Sequence, residues 1–434
     1  MKKSVKLGIV CMARKTFDYN AADKIYRDIL SEIRKIASVS WTIVKNLVIT
    51  LEEAKTAGRQ LREAGVAGIV CISGTFHLGH LVLEINKLVQ KPILLWGLPE
   101  LPYNGGKIRL NSICGLNLDA SNLYKSGIKN YHTVIGNKID EDWIDAVRII
   151  SAFKGAHIGV AGFRAQGFFN LSFNNLRLYD ELGVLLDHYE LSDVYGGSVE
   201  SKELDKREAD IKGVFDISGI TKDQFQKVAN LTVSMDNFIK QNSLDAFAIR
   251  CWPEFAARYG ISPCAAMSML QAEHKIIACE GDVEGALSMF AQSAVGGETP
   301  FLFDFSQVDF NEDFALFWHC GVAPYNLWNK TCPITLDTYF AGGKGVTADF
   351  VLKSGDISIL RIDSTNGKYR LFVKKGKAVP TEKLLKGTYT RVVFEEPVSS
   401  VFQKIVDNGF AHHFSMVYGN YIKPFKILAK LKGW

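Results

Sequence analysis

Between Arg250 and Asp282 the chain reads RCWPEFAARYGISPCAAMSMLQAEHKIIACEGD, with acids at both ends. Glu254 stands near its start, and Glu280 and Asp282 stand at its close. Far downstream, His412 and His413 sit side by side in AHHF. Two carboxylates and an imidazole make an open site for a divalent cation such as Mn²⁺, because hard oxygens and a borderline nitrogen suit such ions.

The elements around these residues place them at strand ends. AFAIRC reads as a strand that delivers Trp252 and Glu254, and KIIAC as a short buried strand that delivers Glu280 and Asp282. Residues beyond the carboxyl ends of parallel strands face the crevice where α/β folds bind ligands. VEGALSMFAQSAVGG is expected as a helix begun at Asp282 or Val283 and ended by Gly296 and Gly297. Glu254, after Pro253, and Asp282 each also suit a helix cap, a role compatible with ligation. Neighbours on a strand point to opposite faces, which favours His413 over His412 as a ligand and leaves His412 as a packed or supporting histidine.

Before this stretch, VKLGIVCM, WTIVKNLVIT, VAGIVCISG and KPILLWGLP alternate with segments of helical period, such as AADKIYRDILSEIRKIAS. That alternation predicts a doubly wound parallel sheet. HIGVAG opens a second such unit, and the loop after it, GFRAQGFFN, lacks GxGxxG spacing, which argues against a dinucleotide site. From Glu298 onward, short alternating or aromatic runs separated by turns predict an antiparallel β domain. His77 and His80 lie in a loop of the first unit without an evident carboxylate partner.

The 434 residues exceed one ordinary core. A net charge of +5 without a long basic run argues against nucleic acid as the partner. No apolar run approaches the roughly 20 residues of a membrane span, and the apolar run after MKKSVK is short for a leader peptide, so a cytoplasmic protein is expected. Eight scattered cysteines, none in CxxC, are expected as reduced, buried thiols. The tail KPFKILAKLKGW is expected as a solvated final helix or strand rather than a membrane-surface helix.

In NSICGLNLDA, ACEGDVEGAL, HCGVAP and AHHFS, spread in order over nearly the whole chain, the sequence resembles the L-fucose isomerase and L-arabinose isomerase superfamily, in its short fucose isomerase-like branch. The resemblance implies that Glu254 matches the first acid, both metal ligand and acid/base group. It matches Asp282 to the second acid, with Glu280 as competitor, and His413 to the metal-binding histidine. Where arabinose isomerases carry a further metal-binding histidine, PFLFDF places Asp304, and fucose isomerases also lack that histidine. This disfavours arabinose and leaves open whether Asp304 touches metal or substrate. Arg14, Trp252, Asp304 and His319 are the expected substrate contacts. Arg14 also reads as a solvated loop residue, and Trp252 and His319 as core residues.

The expectation is therefore two doubly wound parallel-sheet domains, at 1–152 and 153–297, followed by an antiparallel, barrel-like domain at 298–434. The resemblance implies a Mn²⁺-dependent (or other divalent cation-dependent) aldose–ketose isomerase, assembled as a homo-oligomer (trimer or hexamer) with sites at subunit contacts. Moving a carbonyl between C1 and C2 requires proton removal beside that carbonyl. Glu254 and Asp282 would pass the proton through an enediol. A 6-deoxyhexose, a pentose, or a modified hexose such as sulfoquinovose remains open as substrate, and Arg14 and Arg164 suit an anionic tail. Epimerisation, aldol cleavage and non-catalytic sugar binding on the same scaffold are the rival readings.

Overall fold

The computed structural model describes residues 1–340 and 342–434. Its chain divides into two compact units, one of residues 2–151 and 423–434, the other of residues 152–422 with Met1.

The first unit holds a parallel sheet of β1 (Val5–Met12), β2 (Val39–Ile43), β3 (Gly68–Ser73), β4 (Ile93–Gly97) and β5 (Tyr131–Ile135). The strand order is β2-β1-β3-β4-β5. Strands β3 and β4 are buried along their whole length, as expected where helices cover both faces of a parallel sheet. Two of its helices start at side-chain caps. Thr50 and Glu53 form a reciprocal capping box before Leu51–Glu63, and Asp18 accepts from the Ala21 N–H before Tyr19–Ile33. The basic tail forms the helix Ile422–Lys432, which is not merely solvated as expected but buries Phe425, Ile427, Leu428 and Leu431, and Lys423 pairs with Asp140 (3.0 Å) and Asp142 (2.9 Å) of this same unit. His77 has a carboxylate partner after all. Its Nε2 lies 3.0 Å from both oxygens of Asp119, and both residues are buried.

The second unit begins with a four-stranded parallel sheet of β6 (His157–Ala161), β7 (Leu185–Tyr189), β8 (Ala246–Ile249) and β9 (Ile277–Ala278), in the order β7-β6-β8-β9. The charged segment SKELDKREADIK lies in the helix Ser201–Val214, which buries only Ile211, in keeping with a solvated face.

The rest of this unit is an antiparallel barrel with added strands. It comprises β10 (Phe301–Asp309), β11 (Phe314–His319), β12 (Thr335–Phe340), β13 (Gly345–Val351), β14 (Gly355–Thr365), β15 (Lys368–Val379), β16 (Thr388–Val393) and β17 (His413–Tyr418). The order β11-β10-β17-β14-β15-β16 closes through β11–β16 pairing, and β13 and β12 extend beyond β16. Phe303, Phe305, Phe317 and Phe414 pack ring against ring, with Phe303 and Phe317 stacked at 3.8 Å. Alternation along β10 then sends Asp304 to the face opposite Phe303 and Phe305. The two parallel sheets and the antiparallel barrel are the architecture expected from the sequence.

Candidate active site

Register brings the first two site residues together. Asp304 on β10 stands directly opposite His413 on β17, so their side chains share a face. Asp304 Oδ1 lies 3.7 Å from His413 Nε2. On its other side Asp304 pairs with Trp318 of β11, whose last residue is His319. The rings of His319 and His413 stack with centroids 5.5 Å apart.

Glu280 enters from the end of β9. The chain leaves the strand after Ala278, and both Glu280 (φ 60°) and Gly281 (φ 73°) adopt left-handed conformations. A left-handed non-glycine residue costs on the order of 1–3 kcal/mol, so the surroundings must hold it. They do: the Ala165 N–H donates to the Glu280 carbonyl (3.2 Å). Gly281 has no alternative, because a Cβ there would sit 2.0 Å from the Phe163 carbonyl oxygen. The turn aims the Glu280 carboxylate at the histidines. Oε2 lies 3.4 Å from Nε2 of both His412 and His413, and Oε1 accepts from Trp252 Nε1 at 3.1 Å. Burial pushes the Glu280 carboxyl up, but His412, His413, His319 and Trp252 together hold it below its ordinary range.

Asp282, expected as the second acidic ligand, faces elsewhere. Its Oδ1 accepts from the Gly285 N–H (2.8 Å) and caps the helix Val283–Ala294. Its Oδ2 accepts from Arg361 Nη1 (2.5 Å) and His413 Nδ1 (3.0 Å). All three side chains are buried. Burial alone would raise the Asp282 carboxyl, but Arg361 and His413 hold it well below the usual carboxylate range. Glu254, expected as the first ligand, starts the single π turn Phe255–Tyr259 and pairs with Arg250 at 3.1 Å. It belongs to neither ligand cluster found among the described residues, which are Glu280–His412–His413 and Asp304–His319–His413. Trp252 reaches the site through Glu280, whereas Arg14 lies beyond β1 in the other unit.

Both buried histidines engage Nδ1 and leave Nε2 free. His413 donates from Nδ1 to Asp282, so the neutral ring keeps a lone pair on Nε2, which has no hydrogen-bond partner. His319 Nδ1 lies 2.9 Å from the Cys320 nitrogen and 3.2 Å from Cys320 Sγ, and its Nε2 has no partner. Each ring thus offers an unpartnered Nε2 beside the acids. Burial lowers the affinity of both rings for protons. Cys320 first, and Asp304 and Glu280 after it, reverse this at His319 and push it up to about 10, while Asp282, Asp304 and Glu280 raise His413. Asp304 Oδ1 is likewise buried without a hydrogen-bond partner.

The N-terminal domain model of fucose/sulfoquinovose isomerases matches residues 8–155, and the C-terminal domain model of L-fucose isomerase matches residues 318–434. The chain belongs to the fucose isomerase-like superfamily, a group of aldose–ketose isomerases. It is 29% identical to a sulfoquinovose isomerase of Priestia aryabhattai, over 95% of this chain and 94% of that one. It is 28% identical to a sulfoquinovose isomerase of Alkalicoccus urumqiensis, over 97% and 96% of the two chains. An arabinose-binding protein from Geobacillus stearothermophilus aligns at 11% identity over 67% of this chain and 85% of that one, with a TM-score of 0.17, too slight a likeness to bear on fold or function.

Three further residues of this superfamily member shape the site. Asn170 Nδ2 lies 3.0 Å from His412 Nδ1. Phe168 packs edge-on against both Trp252 (5.7 Å) and His412 (5.2 Å). Arg361 anchors Asp282. Phe168 and Asn170 belong to the glycine-bearing loop after β6, so that loop packs against His412 and Trp252, consistent with its lack of nucleotide spacing. The sequence did hold a signal for Arg361, a lone cation in the apolar strand ISILRIDS.

Proposed function

We propose that the chain is a divalent metal-dependent isomerase that interconverts an aldose and a ketose of the sulfonated hexose class, as the names of its relatives suggest. The observation that carries the metal-dependent reading is the convergence of buried atoms without hydrogen-bond partners: Asp304 Oδ1, His319 Nε2 and His413 Nε2 gather beside the Glu280 carboxylate. Orphaned buried polar atoms are costly unless something completes them.

Glu280, Asp304 and His413 would hold the ion. Two carboxylates and one neutral imidazole suit Mn²⁺ and leave coordination positions open for substrate. When bound, the ion polarises the sugar carbonyl and the adjacent hydroxyl, which acidifies the hydrogen on the neighbouring carbon. Glu280 and Asp304 then act as the base and acid that move the proton between C1 and C2. The Nε2–H of His319 donates to the developing enediol oxygen. Trp252 and Phe168 form an apolar wall for the sugar, and Arg164, stacked between Phe163 and Phe169, supplies a cation for an anionic tail. Oligomeric assembly in the cytoplasm is part of the same proposal, and light scattering checks the oligomer. No helix among the described residues is long and apolar enough to cross a membrane.

The test is proton NMR in D₂O on metal-stripped protein, before and after Mn²⁺ addition, with sulfoquinovose beside fucose, rhamnose, xylose and both arabinoses. Ketose formation from sulfoquinovose, with deuterium entering only when Mn²⁺ is present, is the expected result. Turnover of a neutral sugar alone would overturn the substrate class, and equal turnover without metal would overturn the role of the ion.

A further inference from the structure

Four cysteines lie in a row beneath the site. Cys279 Sγ is 3.0 Å from Cys251 Sγ, Cys320 also approaches Cys279, and Cys264 Sγ is 3.6 Å from Cys320 Sγ. Cys251 follows β8 and Cys279 follows β9, two strands paired through Phe247–Ile277 and Ala248–Ala278. Among the described residues, no three cysteine sulfurs gather within reach of one ion. The row therefore suits pairwise chemistry rather than a thiolate metal site.

We propose that Cys251 and Cys279 form an oxidation-sensitive dithiol that closes to a disulfide with a hydroperoxide as oxidant. Closure needs the sulfurs to move from 3.0 Å to a bond of about 2.05 Å. A route for the oxidant exists, because Cys251 lines a cavity of about 520 Å³ together with Trp252, Pro253, Ala257, Phe340 and Lys344. In the first step the Cys251 sulfur attacks the peroxide O–O bond. It becomes a sulfenic acid, and an alcohol (or water, from hydrogen peroxide) leaves with the thiol proton. In the second, the Cys279 sulfur attacks the Cys251 sulfur, the S–S bond forms and water departs. The two electrons lost by the thiols reduce the peroxide.

The bond would act on the site through sequence neighbours. Cys251 precedes Trp252, Cys279 precedes Glu280, and Trp252 Nε1 donates to Glu280 Oε1. Drawing the sulfurs together shifts the backbone on both sides of that hydrogen bond.

The experiment treats the native full-length protein with hydrogen peroxide, alkylates remaining thiols after denaturation, and maps peptides by mass spectrometry with and without dithiothreitol. A Cys251–Cys279 linked peptide that dithiothreitol removes is expected in the native protein and in C114S, which lacks the exposed cysteine, and no such peptide is expected in C251S. Recovery of Cys251 and Cys279 as free thiols while Cys114 reacts would overturn the proposal, as would pairing of Cys279 with Cys320. This readout needs no sugar or metal, so its failure is distinct from failure of the isomerase reading.

Discussion

His413 Nδ1 lies 3.0 Å from Asp282 Oδ2, and that carboxylate is itself held by Arg361 at 2.5 Å. The pair fixes both the ring plane and the tautomer of His413 and turns its Nε2 toward Glu280 and Asp304. A carboxylate behind a ligating imidazole also raises its basicity. Asp282→Asn should therefore weaken Mn²⁺ binding by about 10- to 100-fold. It also leaves a buried guanidinium short of one partner, which costs on the order of 3 kcal/mol. Calorimetric titration with Mn²⁺, run below the melting temperature measured for the variant, separates the two effects. Unchanged affinity would remove Asp282 from its role behind His413.

Glu280 and Glu254 make a sharper contrast. Glu280 points at both site histidines, whereas Glu254 pairs with Arg250 outside both ligand clusters. Glu280→Gln should lower Mn²⁺ affinity on the order of 100-fold or more, and Glu254→Gln should retain the metal. Metal content after gel filtration, measured by atomic absorption, checks both. A metal-free Glu254→Gln protein beside a loaded Glu280→Gln protein would reverse the proposed ligand set.

The difference between Glu280 and Asp282 shows where the sequence stopped being informative. The fold was legible because parallel strands such as VKLGIVCM are apolar at every position but Lys6 and alternate with segments of helical period. In a continued strand, two acids spaced by two would share a face. The chain instead leaves β9 at Ala278, and two left-handed residues turn Glu280 and Asp282 to different partners. No periodicity encodes that turn; it rests on the crowding of Gly281 against Phe163 and on the Ala165 N–H bond to the Glu280 carbonyl. Asn170 and Phe168 were hidden for a related reason, since a single 3-10 turn, Phe169–Leu171 with Phe168 before it, carries no periodicity to read. The return of the basic tail to the first unit combines the burial of Phe425, Ile427, Leu428 and Leu431 with the pairing of Lys423 to its two acids, long-range contacts that local pattern does not report.

Asn170 touches His412 on the side away from Glu280, with Nδ2 3.0 Å from His412 Nδ1 and Glu280 Oε2 3.4 Å from His412 Nε2. Losing that hydrogen bond frees a half-exposed ring at the wall of the site without removing a proposed ligand. Asn170→Ala should raise the KM for the sugar by about 5- to 10-fold, with kcat within about twofold and Mn²⁺ affinity unchanged. Steady-state kinetics at saturating Mn²⁺ decide the matter. A fall in kcat at constant KM would place His412 in the proton transfer instead.

Asp140 provides a test of stability against pH. Burial raises its carboxyl, but hydrogen bonds from His132 and Lys423 outweigh this and bring it down to about 2. The unfolded chain titrates the same group near about 3.9. A folded value below the unfolded one means that the carboxylate stabilises the fold at pH values above about 4. That contribution is lost as pH falls from about 4 to about 2. Lys423 is largely exposed, so solvent screening limits the effect at neutral pH to about 1 kcal/mol. Urea melts of Asp140→Asn should show that deficit at pH 7 and a shrinking one as the pH falls toward 3. Lys423→Met should reproduce part of the deficit, because it removes one of the two groups that hold the carboxylate. A deficit that stays constant from pH 7 to pH 3 would mean that packing at Asp140, and not its charge, ties the C-terminal helix to the first unit.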